Sequence, residues 1–140
     1  MLLPNLIRTV DNIVDTMRSM LDGEDEFCVF PNGSCIGVCA FLVPFIRLQL
    51  PECECSVTVG KFDGKVHAWI DCQSPANVFY IDPTVHQFDR FAPRLVLHTH
   101  RYDSVTRLTR DQEADLREHC ELTKTGLMTR DGKRLLHALT

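Results

Sequence analysis

The sequence predicts an α+β fold, on three observations. A first segment is apolar at helical spacing, a second is apolar almost all round, and a later stretch alternates polar and apolar residues between hairpin-forming turns. At 140 residues, with 44% hydrophobic and 24% charged residues, the chain is expected to be one ordered globular domain, 1–140, with enough apolar material to bury a core.

The N-terminal helix is predicted over residues 4–21. Leu6, Ile7, Val10, Ile13, Val14, Met17, Met20 and Leu21 fall on one stripe, Pro4 suits a first helical turn, and Asp22-Gly23 suits its end. After a turn at Pro31-Asn32-Gly33-Ser34 comes Cys35 to Val43, apolar on every side, as expected of a central helix buried within a domain. Ser34 or Asn32 as cap places Cys35 in its first turn. Pro44 is expected to kink or end it.

Residues 54 to 82 read as a β-meander. Asp63-Gly64 is a favoured two-residue hairpin turn. Centring it there sets Val59 opposite Ala68 and Val57 opposite Ile70 on an apolar side, with Gly60 opposite His67. Pairing Asp71 with Val78 across a loop from Cys72 to Asn77 keeps Phe79 and Ile81 on that apolar side. It sets His67 directly opposite Asp82. Leu95 to Leu97 is a candidate fourth strand, Arg110 to Leu122 a candidate helix, and Arg134 to Leu139 a short terminal turn. The prediction is thus a central helix on a three- or four-stranded antiparallel sheet.

Net charge is −4, and the basic residues are scattered, which argues against nucleic acid as the main partner. No apolar run reaches the ~18–20 residues of a membrane helix, and no leader pattern opens the chain. A cytoplasmic protein is expected, or an effector delivered into another cell. The seven cysteines are then expected as free thiols rather than a disulfide framework.

A cysteine is a useful nucleophile only as thiolate, which a helix N-terminus and a neighbouring imidazole favour. Cys35, opening an apolar helix after a Gly-Ser turn, has the first. The register supplies the second, because His67 and Asp82 emerge as cross-strand neighbours. Taken singly, Cys35 reads as a packed core thiol, His67 as a satisfied buried histidine and Asp82 as a turn residue before proline. Together they make a Cys–His–Asp set on helix, strand and next strand.

Gly33-Ser34-Cys35, His67-Ala68-Trp69 and Tyr80-Ile81-Asp82-Pro83-Thr84, in that order, resemble the transglutaminase-like branch of the papain-like thiol enzymes. The continuation Val85-His86-Gln87-Phe88 is similar to the ending of this motif in short bacterial and phage members. The resemblance covers residues 31 to 88. It implies a papain/transglutaminase-like core, with Cys35 as nucleophile, His67 as general base and then acid, and Asp82 orienting the imidazole. The glycine lets backbone N–H groups approach a substrate carbonyl, so the Gly33-Ser34 turn is expected to serve as an oxyanion hole, and the resemblance implies that Trp69 walls the site from water. Gln87 either assists the site or caps the following turn. The chain departs from papain-like proteases in one respect: the stretch Phe27-Cys28-Val29-Phe30 before the cysteine lacks their oxyanion glutamine. That weakens a classical endopeptidase reading and leaves open deamidase, acyl-transfer or specialised peptidase chemistry on a protein or peptide carboxamide.

Transfer to an amine, as in transglutaminases and arylamine acetyltransferases, is the rival within enzymes. A binding module or inhibitor keeping the fold without the activity is the rival outside them. No metal or organic cofactor is implied: Cys53-x-Cys55 is a poor match to zinc-ligand spacing, and His98-x-His100 reads as a surface pair. Cys72 is expected opposite Cys55 on the apolar face, as a packed thiol.

Overall fold

The computed structural model describes residues 3–21, 35–97, 101–104, 110 and 130–139. They form an α+β arrangement of three helices, α1 (Leu3–Leu21), α2 (Cys35–Gln49) and α3 (Arg130–Leu139), and five strands. The strands are β1 (Glu54–Phe62), β2 (Lys65–Gln73), β3 (Val78–Ile81), β4 (Leu95–Val96) and β5 (Tyr102–Ser104), with a 3₁₀ turn at Val85–Gln87. The sheet is antiparallel in the order β4-β3-β2-β1-β5. The expected sheet of three or four strands therefore gains a fifth, β5, on the outer edge of β1. Of the helix expected over 110–122, all but Arg110 lies outside the described residues.

The stripe on α1 does what its spacing predicts: Leu6, Val10, Ile13, Val14 and Met17 are buried. α2 is covered on every side from Gly37 to Ile46, so it is the helix around which the core closes. Pro44 does not end it. An interior proline costs about 3 kcal/mol through its lost N–H and ring clash. Continuing past it buries Phe45 and Ile46, each 1% exposed, which contributes roughly 1.5–3 kcal/mol apiece. Burial offsets the proline, and the helix runs to Gln49. α3 adds the buried Leu135 and packs against α1.

The β1–β2 register is the expected one throughout: Val59 faces Ala68, Val57 faces Ile70, Gly60 faces His67 and Cys55 faces Cys72. Asp63 and Gly64 both take positive φ, 49° and 80°, as a type I′ hairpin turn requires. The β2–β3 register differs from expectation by two residues. Gln73, not Asp71, pairs with Val78, and Ile70 pairs with Ile81. The cause is the turn. Ser74-Pro75-Ala76-Asn77 closes tightly, with the Ser74 N–H donating to the Asn77 carbonyl at 2.8 Å and the Asn77 N–H to the Ser74 hydroxyl at 3.0 Å. Proline presets the φ that a turn's second position needs. A slip of two keeps every side chain on its face, where a slip of one would have inverted them.

The sheet is covered on both sides at its centre, where the four consecutive positions from His67 to Ile70 are all buried. Val57, Val59, Ala68, Ile70, Cys72, Phe79 and Ile81 form the aliphatic face, continuous with α1, α2 and α3. Phe62, Trp69, Tyr80 and Tyr102 form the opposite, aromatic face, closed by Val85, Phe88 and Ala92.

Candidate active site

His67 and Asp82 lie on the aromatic face, and both are fully buried. The histidine is the third residue of β2, and Asp82 follows β3 directly. The observed register puts Asp82 beside Trp69 rather than opposite His67, so the two residues meet diagonally, two positions apart. Such diagonals are within reach of long or aromatic side chains. His67 Nε2 sits 2.8 Å from Asp82 Oδ1 and 2.8 Å from Oδ2. A carboxylate accepts and does not donate, so Nε2 carries the proton and donates to both oxygens. The Asp82 backbone is fixed as well, its N–H donating to the Arg94 carbonyl at 2.7 Å. The Arg94 guanidinium pairs in turn with Asp15 of α1 at 2.7 Å.

A third member was not evident from sequence. The Tyr102 hydroxyl donates to Asp82 Oδ2 at 2.9 Å. Burial, and then the Asp82 charge, hold the Tyr102 phenol well above its ordinary pKa, so it remains a donor. Tyr102 is brought there by β5, whose pairing with β1 sets Tyr102 opposite Phe62. Its neighbour Arg101 fastens the strand: Nε donates to Asp63 Oδ1 at 3.1 Å, a second nitrogen donates to Asp89 at 3.1 Å, and the guanidinium lies 4.4 Å from the Phe62 ring centroid.

The surround is aromatic. Phe88 meets His67 edge-on with centroids 4.9 Å apart, and Tyr102 meets Trp69 in the same manner at 5.1 Å. Trp69 is fully buried, its indole N–H donating to Asp71 Oδ1 at 3.1 Å; the Thr58 hydroxyl donates to the other Asp71 oxygen. Trp69 thus belongs to the packing behind the dyad, 6.4 Å from the His67 ring. In this low-dielectric setting the charge-assisted bonds of His67, Asp82 and Tyr102 fix one orientation of the imidazole.

Cys35 is the first residue of α2; its side chain, and the turn containing Gly33 and Ser34, lie outside the described residues. α2 covers the aliphatic face. A short connection over residues 50–53 joins α2 to β1, and the Arg47 guanidinium donates to the Cys55 carbonyl at 3.0 Å. The C-terminal end of α2 is therefore tied to the start of β1 on the aliphatic face, while His67 packs among the rings of the opposite face. Gln87 closes the 3₁₀ turn, with its side chain outside the described residues.

Among the described residues no group of three or more His, Cys, Asp or Glu side chains is arranged to hold a metal ion, and no helix is long and apolar enough to cross a membrane. Comparison with family models, curated proteins and solved structures finds no match for this chain.

Proposed function

We propose that the chain is a cysteine-dependent hydrolase or acyl transferase with a papain/transglutaminase-like core, acting on a protein or peptide carboxamide. The observation that carries this reading is the buried His67–Asp82 pair, with Nε2 committed to the carboxylate. An imidazole held this way is poised to exchange a proton at Nδ1, the role a thiol nucleophile requires. Cys35, the first residue of α2, is the nucleophile.

The steps follow from these roles. The Cys35 thiol gives its proton to His67 Nδ1, and the thiolate attacks the carboxamide carbon. Backbone N–H groups of the Gly33–Cys35 turn stabilise the tetrahedral oxyanion. The imidazolium, stabilised by Asp82, protonates the departing amine and leaves a Cys35 thioester. Water, or an acceptor amine, resolves the thioester as His67 removes its proton. His67 itself is enclosed.

A second reading draws on that same enclosure. A fully buried His–Asp–Tyr cluster also serves as a polar core element in a binding module or inhibitor. The two separate on one experiment: intact-mass measurement and peptide mapping after exposure to electrophilic carboxamide probes, alongside ammonia release from glutamine- and asparagine-bearing peptides. The enzyme reading expects a single adduct on Cys35 that is lost in His67→Gln. No adduct on Cys35 in folded protein supports the binding module and rejects the enzyme.

A further inference from the structure

A second pair of reactive side chains lies away from the candidate site, on the aliphatic face. Cys55 and Cys72 are direct cross-strand partners, 5% and 1% exposed, with their sulfurs 3.0 Å apart. A disulfide bond is about 2.05 Å long, so both are free thiols in closer contact than ordinary packing gives.

Their place in the ladder explains this closeness. The two-residue turn is closed by Phe62 and Lys65 as a hydrogen-bonded pair, and pairs alternate from there. Counting along the observed register, Cys55 and Cys72 form a non-hydrogen-bonded pair, the kind whose side chains stand nearest. Such pairs have Cα atoms about 4.5 Å apart, at the short end of the roughly 4.4–6.8 Å that a disulfide spans. A bond there can form without backbone movement.

We propose that Cys55 and Cys72 are a reversible dithiol redox site whose co-substrate is a small peroxide, hydrogen peroxide being the simplest. The Cys55 thiolate attacks one peroxide oxygen, the O–O bond breaks, and hydroxide leaves and takes up a proton as water. The Cys72 sulfur then attacks the Cys55 sulfenic acid, forming the S–S bond and releasing a second water. Two thiols are oxidised by two electrons and one peroxide is reduced to two waters. The surroundings make the roles unequal. The bond from Cys72 lowers the Cys55 pKa, helped by the Arg47 charge against the opposing effect of burial. The Cys72 thiol is raised by that same bond and then by burial, so Cys55 attacks first and Cys72 resolves. Burial of both sulfurs selects a small oxidant over a bulky disulfide. Cys53, also buried, is raised by burial and by its neighbour Cys55, which makes it the poorer nucleophile.

The test uses the full chain, freed of reductant and exposed to stoichiometric hydrogen peroxide without denaturant. Remaining thiols are then trapped with N-ethylmaleimide, and the protein is digested and mapped. The expected result is loss of two hydrogen masses, a cross-linked peptide joining Cys55 to Cys72, and recovery with dithiothreitol. Cys55 should disappear about tenfold faster than the buried Cys39, as its thiolate character dictates. In Cys72→Ala, dimedone should capture Cys55 as its sulfenic acid. A bridge from Cys53 instead, or Cys55 and Cys72 both recovered as free thiols, overturns the proposal. The mapping needs only wild-type protein, so it stands even if the variant does not fold.

Discussion

Replacing Asp82 with alanine removes the one carboxylate on which both His67 and Tyr102 depend. His67 Nε2 loses two contacts of 2.8 Å, and the Tyr102 hydroxyl loses its bond of 2.9 Å. His67 and Asp82 are fully buried and Tyr102 is 7% exposed, so water does not readily replace the lost acceptor. Each buried donor left unsatisfied costs about 1–3 kcal/mol, which for the two donors sums to roughly 2–6 kcal/mol. With His67 a neutral donor, the substitution strands two donors and no charge, so the middle of that range, about 3–5 kcal/mol, applies. We therefore expect Asp82→Ala to lose about 3–5 kcal/mol, a large share of the roughly 5–15 kcal/mol total of an ordinary domain. Tyr102→Phe leaves the histidine bond intact and should cost about 1–2 kcal/mol. The informative variant is the double one. Once Asp82 is gone the hydroxyl is an orphan, so adding Tyr102→Phe should cost nothing further or restore some stability. Urea unfolding followed by far-ultraviolet circular dichroism and tryptophan fluorescence measures all four corners of the cycle. Additive losses would falsify the bond from Tyr102 to Asp82 as the reason Tyr102 matters.

Three other outcomes are expected. The raised Tyr102 pKa means that folded protein holds this proton above the ordinary tyrosine value of about 10. That contribution to stability is complete below about pH 10 and is lost as pH rises through the folded value. Unfolding free energy should thus fall with alkaline pH more steeply in wild type than in Tyr102→Phe, and equal slopes would count against the placement of Tyr102. Gly60→Ala would drive a methyl group into the Trp69 ring and the Asp103 backbone carbonyl. Overpacking of this kind costs about 1–3 kcal/mol, and displacing β5 should loosen Tyr102; unchanged stability would contradict the close β1–β5 approach. Asp82→Asn keeps the shape but presents an amide to one of two donors. Covalent labelling of Cys35 should fall by orders of magnitude while the circular dichroism spectrum survives, and unaltered labelling would remove Asp82 from the mechanism.

How much of this could be read in the sequence depended on whether the deciding interaction was local. The β1–β2 register was legible because Asp63-Gly64 fixes the turn and the alternation on either side agrees with it. The β2–β3 register was legible only in its parity. The apolar pattern excludes a slip of one residue but is indifferent to a slip of two, and Ser74-Pro75 decided the matter by tightening the turn. That indifference is why His67 and Asp82 could be placed on one face although their expected pairing was two positions off. Pro44 misled because its local penalty is smaller than the burial gained by Phe45 and Ile46. Tyr102 left no sequence signal. Its strand has three residues, too few to show a period, and its partner lies 20 positions away. What brings them together is the Arg101 contact with Asp63 and Asp89, which no local pattern announces.

The proposed function turns on activation of Cys35 by the histidine that Asp82 holds. Its most direct test is the rate of alkylation of each cysteine by iodoacetamide near neutral pH, read by peptide mapping after brief exposure, in wild type and in His67→Gln. Cys35 is expected to be labelled first in wild type, ahead of Cys28 and Cys53, and this lead is expected to disappear in the variant while the protein remains folded. Slow labelling of Cys35 in wild type, or a fast rate that His67→Gln leaves untouched, would contradict it.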